Sequence, residues 1–359
     1  MKMKSILSLS FVLIFFFAGC GDQLDLSQFQ ANQGGGTIGD TTYIPISPAF
    51  EGFNNPQDVH IGHDIFVYVA DTDNDRVVMM NLNGTILGTI AVKKPVAITQ
   101  DFQLNLIICA KLDTVISGTT TTLGSVFKVN LVKANHNLSA ASLERVYPTP
   151  GFSLTPQDLR VEYTGIASFF DNSFIVARKG PANSNFSAPD NAMLQFIKTK
   201  DGSKRDSLLG IVPDITPTGT GLLSANGISA LSPSNNRNRD LFMAFTGSTS
   251  FKGQWLTYVV TNLGEGYQNR LSIGTDMMIP NRFDKPEDIT VDESGNIYIV
   301  DAQKDSVYRF NSDGDQLQAF GGRSLFNGPS GVAFHDRIIY IADSKNNRVV
   351  RFQLSTDIR

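Results

Sequence analysis

The sequence predicts an all-β chain, a six-bladed β-propeller of four-stranded antiparallel blades closed by a strand from the N-terminal end. Three observations lead there. Between Pro286 and Leu354 one unit occurs twice, its leading prolines Pro286 and Pro329 lying 43 residues apart, a period of the size that propeller blades have. Each unit holds three short runs rich in Val, Ile, Tyr and Phe, separated by Gly, Asn and Asp turns, which is the pattern of consecutive antiparallel strands. The second unit stops after its third strand, while an unpaired apolar strand stands near the other end of the chain.

Taken in order, Met1 to Lys4 and the apolar run from Ile6 to Ala18 have the basic start and short hydrophobic middle of an export signal. The run is too short for the roughly 20 apolar residues a bilayer span needs. It ends in Phe17-Ala18-Gly19-Cys20, which resembles the bacterial lipobox and implies a signal peptide over 1–19 and lipidation of Cys20. The expected location is the bacterial cell envelope, outside the cytoplasm and anchored by lipid. Residues 20–40 are polar and carry Gly34-Gly35-Gly36, the composition of a flexible tether. The propeller is assigned to 41–359.

Thr42 to Ser47 is the lone strand. Blade one runs from Pro56 through Ile65 to Asp71, Asp75 to Val78 and Thr85 to Val92. Blade two starts at Pro95, has its second strand at Leu104 to Ala110 and its third at Ser125 to Val129, with a long connection from Lys111 to Gly124 between them. Blade three is read from Gly165 to Phe169, Ser173 to Arg178 and Met193 to Ile197, with the long connection Lys179 to Asp190. Blade four is read from Asn226 to Ala230, Leu241 to Phe245 and Trp255 to Val260, with the insertion Thr246 to Gly253. The two units of the opening stretch are blades five and six. Pairing Thr42 to Ser47 with Arg348 to Leu354 supplies the missing fourth strand and covers two open edges.

The units Pro286-Glu287-Asp288-Ile289, Gly295-Asn296-Ile297-Tyr298-Ile299-Val300-Asp301 and Asn347-Arg348-Val349 resemble the NHL repeat, most closely in blades one, five and six. The resemblance implies an interaction platform. It also implies that Asp71, Asp301 and Asp343 fix the turns after the second strands, since such an Asp accepts backbone N–H bonds, with Arg76 and Arg348 as partners. The formal net charge is −4, and loss of Lys2 and Lys4 with a signal peptide makes the remainder more acidic. That balance and the export signal argue against nucleic acid as a partner.

Within a blade the first strand's start, the second strand's end and the long connections share one face. The expected ligand-binding face comprises Asp58, Asp288, Asn226, Lys111, Arg178, Phe186, Phe251 and Trp255. The aromatic residues are its apolar anchors, and Thr119 to Thr122, Asn183 to Asn185, Ser248 and Ser250 are its hydrogen-bonding groups. The expected partner is an envelope protein, peptide or glycan. No cofactor is expected under this reading. The alternative is a channel-mouth enzyme, a lactonase-like hydrolase or a lyase. The resemblance to six-bladed gluconolactonase-type and amidating-lyase-type propellers then implies a divalent cation such as calcium, with Asp58, Asn226 and Asp288 as candidate oxygen ligands and Glu287 nearby. No catalytic residue is identified. The four histidines form no metal constellation, because His60 and His63 point to opposite faces of a strand. Cys109, in an apolar run, is expected to be a buried thiol.

Overall fold

In a computed structural model, residues 42–199, 206–234, 238–262 and 264–357 are described. The expected signal peptide, lipidation site at Cys20 and tether lie outside them. No helix among the described residues is long and apolar enough to cross a membrane.

The chain forms six four-stranded antiparallel sheets in sequence order around an axis. Blade one is β2 (Pro56–Ile61), β3 (Val67–Asp71), β4 (Arg76–Met80) and β5 (Ile86–Ala91). Blade two is β6 (Ala97–Gln100), β7 (Asn105–Ile116), β8 (Thr119–Asn130) and β9 (Leu143–Tyr147). Blade three is β10 (Glu162–Ser168), β11 (Phe174–Lys179), β12 (Ala192–Lys198) and β13 (Asp206–Ile211). Blade four is β14 (Ile228–Pro233), β15 (Leu241–Phe245), β16 (Gly253–Thr261) and β17 (Gly264–Asn269). Blade five is β18 (Pro286–Val291), β19 (Ile297–Asp301), β20 (Ser306–Phe310) and β21 (Gln316–Gly321). Blade six is β22 (Pro329–His335), β23 (Ile338–Asp343) and β24 (Arg348–Leu354), and its fourth, outer strand is β1 (Tyr43–Phe50). β1 runs antiparallel to β24, with Tyr43 opposite Leu354 and Phe50 opposite Val349.

The second strand of each blade reads as a continuous apolar run because both of its faces are covered. In β3, Tyr68 and Ala70 pack toward blade two while Val67 and Val69 pack toward blade six. In β19, Ile297 and Ile299 face blade four, and Tyr298 and Val300 face blade six. Six hydrophobic clusters result, each between two neighbouring blades. Cys109 belongs to the one between blades two and three and is fully buried.

The first-strand starts also link the blades. Asp58 of blade one accepts the Ile98 N–H of blade two at 2.6 Å, and Asp288 of blade five accepts the Val332 N–H of blade six at 2.7 Å. At Gly331 the opposite solution appears: a Cβ there would lie 2.8 Å from Asp58 Cα. Gly165 meets Leu231 N of blade four in the same way, at 2.7 Å. In blades one, three, five and six the equivalent position therefore takes either a carboxylate that reaches the next blade or a glycine that lets it approach, and in blades two and four it takes the small Ala97 and Ala230.

One connection differs from the sequence reading. Residues 111–124 are no loop, since β7 and β8 continue in register out to Ile116 and Thr119. The polar Thr119 to Thr122 run is β-branched and favours strand. Ser117 and Gly118 have φ of 50° and 81°, the two-residue turn that closes a tight hairpin. The result is a two-stranded ribbon. A second difference lies in blade four, where the strand begins at Ile228. Gly227 belongs to the preceding turn, its carbonyl accepting the N–H groups of Thr246 and Gly247, and Ala230 opposite Ala244 holds the position equivalent to Asp58 opposite Ala70.

Candidate functional site

The face that carries the first-strand starts and the connections between second and third strands is built by buried carboxylates. Asp71 accepts the Asn54 N–H at 2.7 Å, Arg76 Nε at 2.6 Å and Asn74 Nδ2 at 2.9 Å. Asp343 repeats this with Asn327 N–H, Arg348 Nε and Asn346 Nδ2. Asp301 accepts the N–H groups of Asp284, Lys285, Gln303 and Lys304. All three are turn-fixing groups without exposed surface.

Over blades two and three the face is raised. The ribbon is tied at its base by Lys93 bonding Asp113 and by Thr122 bonding the same carboxylate. On its other side Gly124 abuts the Val161 carbonyl. Beside it, the connection 180–190 is held by Asp190, which accepts Arg160 Nε and Nη2, Gln157 Nε2 and the Ala182 N–H. Burial raises the Asp190 carboxyl, but these donors outweigh it and hold it below its ordinary range. Two exposed aromatics crown this region, Phe152 at 77% and Phe186 at 71%.

The axis of the ring is an open cavity of about 780 Å³. At the raised face it is lined by Lys94, Lys111, Lys179, Glu162, Glu287 and Thr246. Lys111 bonds Glu162, which lowers the acid's pKa, and Lys285 pairs with Glu287. Midway stand Asp58 and Asp288, reached by the cavity but surrounded by protein. Burial pushes Asp58 up to about 7 against the N–H bonds of Ile98 and Val59. Asp288 is raised well above the carboxylate range, first by burial and then by the Asp58 charge, with the Val332 and Ile289 N–H groups opposing. At the opposite mouth, between first and second strands, the lining is His63, Ile65, Phe102, Phe170, Phe334 and Glu293. His63 lies 4.2 Å from the Phe102 ring centroid. His60 accepts the Gln100 N–H, and its pKa is lowered to about 4 by burial and by His63.

The structure brings Asp58, Asp288 and Lys111 onto one cavity and leaves Phe186 exposed on the raised face. Four of the expected site residues are placed elsewhere. Arg178 is 4% exposed and donates to the carbonyls of Asp190 and Pro189; it braces the connection from below because its blade-three carbonyls need a buried donor. Trp255 is 5% exposed, packs 4.7 Å from the Phe242 ring and donates its Nε1 to Asp240. Alternation along β16 turns it into the blade interface rather than out to a ligand. Asn226 is off the cavity lining, accepts from Asn191 Nδ2 and sits in the turn closed by Gly227 and Gly247. Phe251 is half-buried against the cluster between blades four and five.

Without Asn226 the candidate cation ligands do not converge. Among the described residues no group of three or more His, Cys, Asp and Glu side chains is placed to hold a metal ion. Hard cations such as calcium take six to eight oxygens; midway along the channel only Asp58 and Asp288 offer carboxylates, which already accept backbone N–H bonds, and at the raised mouth Glu162 and Glu287 are paired with Lys111 and Lys285. The residues present do not fit the cation that the gluconolactonase-type propellers imply.

Sequence reasoning missed the Arg160–Asp190 clamp and the aromatic second mouth. The signal for the mouth was there, in large apolar residues inside turns at Ile65, Phe102 and Phe170, where polar residues are the rule.

An NHL repeat model matches residues 326–352, which are the bulk of blade six. No curated protein sequence matches the chain. Solved structures share the ring at low identity. One named luciferin-regenerating enzyme is 12% identical over 87% of this chain and 95% of its own, with a TM-score of 0.56. A structure named for gluconolactonase is 14% identical over 88% and 92%, with a TM-score of 0.53. A streptogramin B lyase is 12% identical over 88% and 98%, with a TM-score of 0.50. Identities this low speak to the fold alone. The chain is a six-bladed β-propeller that carries an NHL repeat.

Proposed function

We propose that the chain is a binding propeller of the cell envelope, anchored through Cys20, which holds a protein, peptide or glycan on its raised face. The observation that carries this reading is the construction above blades two and three. A ribbon and a clamped connection stand beside an open channel mouth, fixed by internal bonds through Asp113 and Asp190 and crowned by Phe152 and Phe186. A rigid projection with exposed aromatics is what a hot spot needs, because little ordering cost remains to be met on binding. The mixed lysines and glutamates at the mouth suit a polar partner. The acidic chain as a whole is unsuited to nucleic acid.

The test is capture from an envelope extract by the full chain and by two variants. In one, residues 112–123 are replaced by a tight turn; the other is Phe186→Ala. Both should keep the parent's melting temperature within a few degrees and lose the partner that the parent recovers. Recovery of the same partner at the same yield by the trimmed chain moves the site off this face and reopens the enzyme reading.

A further inference from the structure

The channel has two unlike mouths and a pair of carboxylates between them. At the raised face the wall carries Lys94, Lys111 and Lys179; at the other mouth it carries Glu293 and an apolar rim in which Ile65 and Phe102 are each 52% exposed and Phe170 is 44% exposed. The lysines are engaged locally, Lys94 with Asp73 and Lys111 with Glu162. Among the described residues no basic side chain pairs with Asp58 or Asp288, whose bonds come from backbone N–H groups alone. The two carboxylates flank adjacent residues of β22: Asp58 Cα abuts Gly331, and Asp288 Oδ2 bonds the N–H of Val332. Farther along the same wall, toward the aromatic mouth, stands Gln100, whose Nε2 donates to Asp64. Gln100 is 1% exposed, and its Oε1 has no hydrogen-bond partner.

We propose that the channel admits, through the aromatic mouth, a primary amine borne on an apolar chain, and seats its ammonium against Asp58 and Asp288. An ammonium brings three donors and one charge, which matches two carboxylates that each have lone pairs left over. Its carbon chain lies toward the exposed apolar rim of Ile65, Phe102 and Phe170, which line the same cavity. The aromatic rim at Phe102 and Phe170 favours a cation in passage through attraction to the ring faces. The neutral His60 beside the path supplies no competing charge. This site is independent of the raised face, and a partner there is not required for it.

Titration calorimetry of the full chain at pH 8 tests the proposal with three probes: hexylammonium, 1-hexanol and calcium chloride. Hexylammonium should bind at least tenfold more tightly than the alcohol of the same length, and calcium should not compete. The Asp58→Asn/Asp288→Asn variant, which keeps the acceptors for the Ile98 and Val332 N–H groups, should lose that preference; Phe102→Ala should weaken the amine severalfold. Equal binding of amine and alcohol by the parent overturns the proposal, and needs no variant to fold. Displacement of the amine by calcium overturns it too, in favour of a metal site, as does an unchanged amine affinity in the double variant.

Discussion

Arg160 and Asp190 form a two-pronged pair, with Nε to Oδ2 at 2.8 Å and Nη2 to Oδ1 at 2.9 Å. Through it the connection from blade two to blade three is joined to the loop that rises from β11. The same carboxylate takes Gln157 Nε2 and the Ala182 N–H, so one buried acid organises two segments that have no strand of their own.

Asp190→Ala should therefore loosen both segments while leaving the ring intact. Removing the acceptor strands the Ala182 N–H in a part-buried place and releases Arg160, a loss of about 1–3 kcal/mol, while the Gln157 amide keeps the carbonyls of Ala188 and Pro189. Limited proteolysis should cut the variant between 180 and 190, where the parent resists, and chemical denaturation should give the stability change. Because the folded carboxyl is held low, its contribution is present above the unfolded value and is lost as pH falls through the folded one. Resistance of the variant equal to the parent's removes the clamp as the organiser of this face.

The pairing of β1 with β24 invites a test at Tyr43. Its ring is 1% exposed, lies 4.7 Å from the Phe320 centroid, and its hydroxyl meets that of Tyr298 at 3.1 Å. Tyr43→Ala should cost about 3–5 kcal/mol, the range for emptying an aromatic site. A chain that starts at Glu51 should lose this contact and also bare the β24 edge, which favours aggregation. A chain starting at Thr41 should melt like the parent. If the two truncations melt alike, the strand is not part of what holds the ring.

The ring was legible in the sequence because strands buried on both faces leave continuous apolar runs, as in Ile297 to Val300, and because Asp and Gly mark the turns. Turn-fixing by Asp71, Asp301 and Asp343 was legible for the same reason: a carboxylate at a strand end has backbone donors close at hand. The site was less so. Trp255 and Arg178 carry the residue types of a binding face, but which side of a strand they occupy depends on register, and a register shift of one residue exchanges core for surface. In blade four the register is set by the Gly227–Gly247 approach, which pairs residues of two connections and has no local signature. The polar run Thr119 to Thr122 read as loop by composition, although its β-branched side chains and the Ser117-Gly118 turn make it a ribbon.

Gly331→Ala should strain the seam between blades six and one. Its Cβ would stand 2.8 Å from Asp58 Cα and 2.9 Å from Val59 N, and both are backbone atoms that cannot swing aside. The blades must part by a few tenths of an ångström, and overpacking of this kind costs about 1–3 kcal/mol. Differential scanning calorimetry should show the lower melting temperature. Gly118→Ala, with nothing within 4 Å of the added carbon but a φ of 81°, serves as a comparison in which only backbone strain acts. A Gly331→Ala protein as stable as the parent means that the seam is looser than the glycine implies.

The carboxylates of the channel make a prediction about pH. The pKa of Asp58 stands at about 7 in the folded chain against an ordinary value of 3.8, so between those values the folded state keeps a proton that the unfolded state has released. Stability must then fall as pH rises across that window, and the whole penalty is in place above about pH 7. His60 acts in the opposite direction. Its folded value of about 4 lies below the ordinary 6.5, so the unfolded state takes up the proton first and stability rises with pH through that interval. The parent's own profile mixes the two effects, and the informative quantity is the difference between parent and Asp58→Asn. The amide keeps an acceptor for the Ile98 N–H and cannot ionise; it also relieves Asp288 of a neighbouring charge. Asp58→Asn should match the parent near pH 4 and exceed it at pH 8, by something on the order of 1–2 kcal/mol once water in the channel is allowed to screen part of the penalty. Denaturation curves at the two pH values measure this. A difference that is absent at pH 8, or present equally at pH 4, means that the carboxyl ionises in the folded chain without cost, and that water in the channel solvates it.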